Sequence, residues 1–311
     1  MYALLRVCAR IALHFYFGRI RTATAAELPE GHAYLFAANH PNSFLDALVI
    51  ATHLPWRMHF LARGDAFRHP LANMVLRWLY MTPVYRMSEG RAELRRTADS
   101  FLSVHQRLRE GRSVLVFAEG ISVNEAGLRP LGKGSARIAH QAWTAGVEVP
   151  VVPIWLHYEK FHRPFCEVSI CPGTVMRKDS LPLEPQASFL RQFNTALRKH
   201  LLEACDRSAG RRARMGRGLR PAWIYAAIPF AAAGWVLHAP WYYAVRAITS
   251  ASAGGTIFFD SVLFSLLFLT YPLWLLALCG IGLWIGLHTW AWCLLVAAPL
   301  LLQALRVWCR R

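Results

Sequence analysis

The chain has 311 residues, 55% of them hydrophobic, and its 35 Lys and Arg against 18 Asp and Glu give a formal net charge of +17. That length allows one large domain or two smaller ones with a sizeable core, and the charge points to an anionic partner: nucleic acid, an anionic membrane surface or a phosphorylated substrate. Nucleic acid fits poorly, because eight of the twelve Trp lie from Trp223 onward, in an apolar tail rather than among the basic residues.

The seven cysteines are scattered without a C-x-x-C, which argues against a zinc site and suits free thiols in a reducing compartment.

The chain opens with MYALLRVCARIALHFYFGRIR, in which Arg6, Arg10 and His14 recur at i, i+4 and i+8 among apolar residues. This pattern predicts an amphipathic helix lying on an anionic membrane, with the segment 1–25 as a membrane-associated unit. A cleaved signal peptide competes, with TATAA (22–26) as its cleavage site. Arg10, Arg19 and Arg21 interrupt the apolar region such a signal needs.

Residues 26–206 read as an α/β domain. Short apolar runs predict strands at Tyr34–Ala38, Met58–Ala62, Ser113–Phe117 and Val149–Leu156. Between them, Leu94, Ala98, Phe101, Leu102, His105 and Leu108 mark one face of a helix over 91–110, and Gly111 stands where a C-cap glycine belongs. A second amphipathic helix is predicted over 186–205. Alternating strands and helices imply a mostly parallel or mixed sheet flanked by helices.

An arginine-rich stretch, 207–220, reads as a basic linker to a membrane region over 221–311. No Asp, Glu, Lys or Arg occurs from Pro221 to Val245, nor in the 45 residues from Ser261 to Leu305. The longer stretch has room for two spans of about 20 residues each, placed within 257–306 with Gly280, Gly282 and Gly286 offering a turn. The alternative is a buried hairpin of a soluble fold. Arg211 to Arg220, then Arg246, then Arg306 to Arg311 form three basic clusters that prefer the cytoplasmic side. Two spans satisfy all three if 222–245, interrupted by Pro229 and Pro240, is re-entrant or interfacial.

The segment NHPNSFLD, residues 39–46, follows the first strand of the α/β domain, where loops of open sheets present functional groups. Ser43-x-x-Asp46 fits a capping box at the start of a helix. That reading leaves His40 unexplained, and a carboxylate fixed at a helix start can also orient an imidazole. Downstream, TPVYR ends in Arg86, VLVFAEGIS carries Glu119, Gly120 and Ser122 in a turn able to face an anion, and VPVVPI is a strand with two prolines.

These four blocks, in this order, resemble those of the phospholipid/glycerol acyltransferase family: N-H-x4-D, an arginine-bearing block, F-P-E-G-T-R and a proline-containing strand. They correspond to Asn39–Asp46, Val84–Arg86, Phe117–Ser122 and Val149–Pro153, and the resemblance covers roughly 30–160. Five residues rather than four separate His40 from Asp46, and Ala118, Ile121 and Ser122 replace the usual Pro, Thr and Arg. These departures resemble the branch that includes fungal-type glycerol-3-phosphate/dihydroxyacetone-phosphate acyltransferases.

The resemblance implies a membrane-bound O-acyltransferase of phospholipid synthesis, integral to the cell membrane with its catalytic domain on the cytoplasmic side. His40 would act as the base with Asp46 orienting it, and Arg86, Glu119, Gly120 and Ser122 would bind the acceptor, with Lys133 in LGKGSAR supplementing the phosphate contact. The donor would be acyl-CoA or acyl carrier protein as co-substrate. No permanently bound cofactor and no metal are implied. The acceptor would be glycerol-3-phosphate, dihydroxyacetone phosphate or a lysophospholipid. Other readings are acylation of a different lyso-lipid such as a lyso-aminolipid, and a non-catalytic protein that binds anionic membrane lipid.

Overall fold

A computed structural model describes residues 2–23, 28, 32–84, 91–215 and 222–309. Among them seven strands form one sheet: β1 (Arg19–Thr22), β2 (Leu35–Ala38), β3 (Met58–Arg63), β4 (Met81–Val84), β5 (Ser113–Phe117), β6 (Val151–Tyr158) and β7 (Glu167–Pro172). Their order is β1-β7-β6-β2-β5-β3-β4, and every pairing is parallel except β6 with β7. The sheet is mixed, as its strand–helix alternation predicts.

The helices of the α/β part are α1 (Tyr2–Tyr16), α2 (Phe44–His53), α3 (Pro70–Trp78), α4 (Arg91–Arg109), α5 (Gly134–Thr144) and α6 (Gln186–Met215). Four more follow: α7 (Ala222–Ala226), α8 (Ile228–Ala253), α9 (Phe259–Trp284) and α10 (Leu294–Cys309).

The period of two along each strand divides the core. Phe36 and Ala38 of β2, Leu115 of β5, and Val152 and Ile154 of β6 face one layer with Leu13, Leu45, Ile50 and Leu263. Leu35, Ala37, Val114, Val116, Val151 and Trp155 face the other, with Val104, Ile138, Phe189 and Phe193. The central strands are thus buried on both sides, which is why they read as continuous apolar runs. One layer holds α1, α2 and α9; the other holds α4, α5 and α6.

This division positions the site. From the end of β2 the chain turns to α2 on one face; from the end of neighbouring β5 it proceeds to α5 on the opposite face. The two connections leave toward opposite faces, which makes the carboxyl ends of β2 and β5 a topological switch point.

Some boundaries differ from the predicted ones. β1 precedes residue 26 yet pairs with β7, so the sheet draws on the segment read as a separate N-terminal unit. Four residues are too few to show a period, which hid it. α6 continues past residue 206 to Met215, so the first part of the predicted linker is helical; Ala and Arg favour helix there and Gly210 alone does not break it. Pro229 occupies the first turn of α8, where its missing N–H costs nothing, and α8 passes through Pro240 to Ala253. From Ile228 that segment is a continuous helix. Gly111 takes the left-handed conformation (φ 73°) expected of a C-cap.

Two helical stretches, Phe259–Trp284 and His288–Cys309, are long and apolar enough to cross a membrane. Gly234 lets α8 meet α10 closely, since a Cβ there would lie 2.3 Å from the Leu301 carbonyl oxygen. Buried Arg306 of α10 donates from Nε to the Phe17 carbonyl at 2.9 Å, tying the chain's end to the α/β core.

Burial pushes three imidazoles down to about 4: His53, His59 and His157. The unfolded chain takes up these protons near pH 6.5, the folded chain only near 4, so each contribution to stability is lost as pH falls through that window. Asp46 and Glu119, whose carboxyls burial raises, act with the opposite sign. The expected result is a melting temperature that drops from pH 6.5 toward 4.5 and a shallower drop in His157→Gln, whose side chain takes up no proton; thermal melts across that range check it.

Candidate active site

Asn39 closes the end of β2. Its buried side chain donates Nδ2 to the Leu156 carbonyl at 3.0 Å and accepts the Leu156 N–H on Oδ1 at 2.7 Å, bridging β2 to β6 where backbone pairing has stopped. Asn39→Ala leaves both Leu156 groups unpaired in the interior, with an expected cost of about 2–4 kcal/mol measured by chemical unfolding.

Beyond this anchor the chain turns sharply. His40 Nδ1 donates to Asp46 Oδ2 at 2.8 Å, and the Asn42 backbone N–H donates to the same oxygen at 2.7 Å. Asp46 is fully buried and the His40 side chain 18% exposed. The ring of His40 stacks on Phe117 of β5, with centroids 3.7 Å apart and planes within 7°. One face and Nδ1 are thereby fixed, and Nε2 has no hydrogen-bond partner among the described residues.

The capping box does not form. The Ser43 side chain makes no cap hydrogen bond; its backbone N–H, which Asp46 would accept in that motif, goes instead to Ser122 Oγ at 2.8 Å. Asp46 is left for His40 and Asn42. Ser43 adopts φ 51°, ψ −132°, a conformation costly for a side-chain-bearing residue, and it sits where the loop must bring His40 back over Asp46.

From β5, Glu119 Oε1 accepts the His40 backbone N–H at 3.0 Å, and the Val123 N–H donates to the His40 carbonyl at 3.2 Å. Gly120 (φ 71°) makes the turn that allows this. Glu119 and Ser122 thus bind the His40 loop to the β5 loop. Arg86 lies outside the described residues. Lys133 immediately precedes α5, and the Gly132 N–H donates to the Ala118 carbonyl at 2.7 Å, bringing the start of α5 beside Glu119.

The electrostatics follow from burial. Desolvation raises the Asp46 carboxyl above its ordinary range, opposed by the hydrogen bond and charge of His40 and by the Asn42 N–H. Glu119 is likewise raised by burial, with the His40 N–H and nearby Arg129 opposing it. The Tyr158 hydroxyl lies next to Asp46 without a well-formed hydrogen bond, and burial followed by that negative charge raises it well above its usual value. Among the described residues no group of three or more His, Cys, Asp or Glu is arranged to hold a metal ion.

Several contributors are absent from the sequence-based set: Phe117, Asn42, Tyr158 and Asp260. The Asp260 carboxylate accepts from Asn42 Nδ2 at 3.0 Å. It carried one signal, being the only acidic residue after Asp206.

A histidine paired with a buried carboxylate, its remaining nitrogen unpartnered among the described residues, at the switch point of an α/β sheet, can accept and return a proton. Residues 19–157, a segment that runs from β1 into β6 and contains the whole His40–Asp46 loop, match the family model described as Acyltransferase. The fold resembles that of the 1-acyl-sn-glycerophosphate (LPA) acyltransferase PlsC from Thermotoga maritima, with a TM-score of 0.52 over 67% of this chain and 79% of that one, at 16% identity. None of the curated proteins compared with the chain matches it.

Proposed function

We propose that the protein is a membrane-bound O-acyltransferase of glycerophospholipid synthesis. It would move a fatty acyl group from a thioester of coenzyme A or acyl carrier protein to glycerol-3-phosphate, dihydroxyacetone phosphate or a lysophospholipid. The observation that carries this reading is the His40–Asp46 pair, with the Asn42 N–H on the same carboxylate oxygen and Nε2 without a partner among the described residues.

In this reading the acceptor hydroxyl gives its proton to His40 Nε2 as its oxygen forms a bond to the thioester carbonyl carbon. Asp46 holds the imidazole with its proton on Nδ1 and stabilises the imidazolium that forms. Collapse of the tetrahedral intermediate breaks the C–S bond, and the departing thiolate takes the proton from His40. Atoms balance without acylation of any side chain, since the acceptor alcohol is itself the nucleophile. No resident cofactor or metal enters this scheme; the thioester is a co-substrate.

A phosphate on the acceptor is supported by charge. Lys133 and the N–H groups at the start of α5 lie beside the Glu119 turn, with Arg129 close to Glu119. We assign phosphate binding to this cluster together with Arg86, Gly120 and Ser122. Attachment to the bilayer is supported by the apolar surface of the helical tail, and a cytoplasmic α/β domain by the basic clusters Arg211 to Arg220, Arg246 and Arg306 to Arg311. Leu269, Leu273 and Trp284 of α9, Trp290 in the turn that follows, and Val296 and Leu300 of α10 are each at least 64% exposed, more than a soluble surface normally leaves bare.

The test is an acceptor panel offered to detergent-purified protein with labelled acyl-CoA and, separately, with labelled acyl carrier protein thioester: glycerol-3-phosphate, dihydroxyacetone phosphate, lysophosphatidate, and a lyso-aminolipid without phosphate. Ester formation only with phosphate-bearing acceptors supports the assignment. Transfer to the lyso-aminolipid alone would reject the phosphate site, and no transfer with either donor would favour a lipid-binding role.

A further inference from the structure

Asp260 opens α9, the first of the two long apolar helices, and lies far outside the segment that matches the acyltransferase family. The residue is 3% exposed and its carboxylate is occupied on both oxygens. Oδ2 accepts Asn42 Nδ2 at 3.0 Å and the His162 backbone N–H at 3.0 Å, and Oδ1 accepts the Tyr16 hydroxyl at 3.4 Å. A carboxylate at the head of an apolar helix is costly to bury unless its acceptors are filled. Here they are filled by three groups from three separate parts of the chain, one of which is the catalytic loop.

Asn42 makes this more than a structural clamp. Its side-chain amide is held by Asp260, while its backbone N–H is one of the two donors on Asp46 Oδ2, the oxygen that orients His40. Its only other side-chain hydrogen bond among the described residues is a long one, 3.5 Å from Asn124 Nδ2 to Asn42 Oδ1. The loop between β2 and α2 therefore takes its placement on the sheet side from Ser122 and Glu119, and on the helix side from Asp260. The junction of α8 and α9 grips the neighbouring 160–165 loop at a second point, where Arg246 of α8 donates to the His162 carbonyl at 3.3 Å.

We propose that Asp260 is a positioning residue for the His40–Asp46 pair, and that through it the α8–α9 junction is part of the catalytic machinery rather than only an attachment to the bilayer. This rests on the acyl-transfer reading above. Without Asp260, the Asn42 amide turns away and its N–H leaves Asp46. The imidazole then loses its orientation while the substrate sites stay intact.

The test uses the full chain in detergent or nanodiscs and compares Asp260→Ala, Asp260→Asn and Leu263→Ala. The last removes buried core from the same helix without touching a hydrogen bond to the loop. For Asp260→Ala the expected result is a fall in kcat of about 10²-fold, the scale of an ångström-level misplacement, with KM within about twofold. Asp260→Asn keeps an oxygen acceptor for Asn42 and His162 and should recover most of the rate. Hydrogen–deuterium exchange adds a readout independent of activity: amides of 39–46 and 160–164 should exchange faster in Asp260→Ala and not in Leu263→Ala.

Unchanged exchange in 39–46, or a kcat loss in Leu263→Ala equal to that in Asp260→Ala, overturns the proposal. If the unsubstituted protein transfers no acyl group to any acceptor, the functional reading fails. Exchange alone then decides whether Asp260 holds the loop.

Discussion

Replacing His40 by alanine is expected to lower acyl transfer by about 10²–10⁴-fold, the usual contribution of a positioned general base, while leaving the fold in place. The ring is partly exposed and its main packing partner is Phe117, so its removal forfeits one stacking contact, worth about 1 kcal/mol, and the hydrogen bond to Asp46. The Asp46 carboxylate would keep the Asn42 N–H. Activity and stability should therefore separate: a rate near background beside a melting temperature within a few degrees of the parent's. A His40→Ala protein with more than about a tenth of the parent's rate would remove His40 from the proton path.

The second large effect is at Asp46, and its sign on stability differs. Asp46→Asn preserves shape, and the carbonyl oxygen of the amide can still accept from His40 Nδ1 and the Asn42 N–H. What disappears is the negative charge that stabilises the imidazolium as the hydroxyl attacks. A loss of about 10²-fold or more is expected, by analogy with the orienting carboxylate of hydrolase triads. Burial raises the Asp46 carboxyl, so holding it ionised at neutral pH costs stability. Removing that charge should leave the melting temperature unchanged or higher. A slower but equally or more stable enzyme, by initial rates and thermal melts, is the expected pair of results. A marked destabilisation would mean that the carboxylate serves the fold first.

These predictions draw on residues of unequal visibility. His40 and Asp46 were legible because only five residues separate them and both readings of the segment, capping box and imidazole partner, put the carboxylate at a helix start. The capping box is absent because Ser122 takes the Ser43 N–H that it would use. No local pattern encodes that contact, since it depends on β5 lying beside β2.

The central strands were legible for the same reason that they are central: burial on both faces leaves an unbroken apolar run. β1 and β7 were missed because they carry mixed sequences, RIRT and EVSICP, at the far side of the sheet from β4. Asp260 was the deepest omission. It meets Asn42 across 218 residues of chain, and its one signal was to be a lone carboxylate in an otherwise apolar and basic tail. Arg86, the predicted phosphate contact, lies outside the described residues, and its place in the site stays a proposal.

The central claim is direct transfer from thioester to acceptor alcohol at His40, with no acylated protein in between. The most direct measurement follows a radiolabelled acyl-CoA with purified protein, with and without glycerol-3-phosphate or lysophosphatidate, counting free thiol, lipid ester and protein-bound label together. The account expects thiol release only when an acceptor is present, ester formed in equal amount, and no label on the protein. Thiol release without acceptor accompanied by label on the chain would contradict it, since that is the mark of an acyl-enzyme.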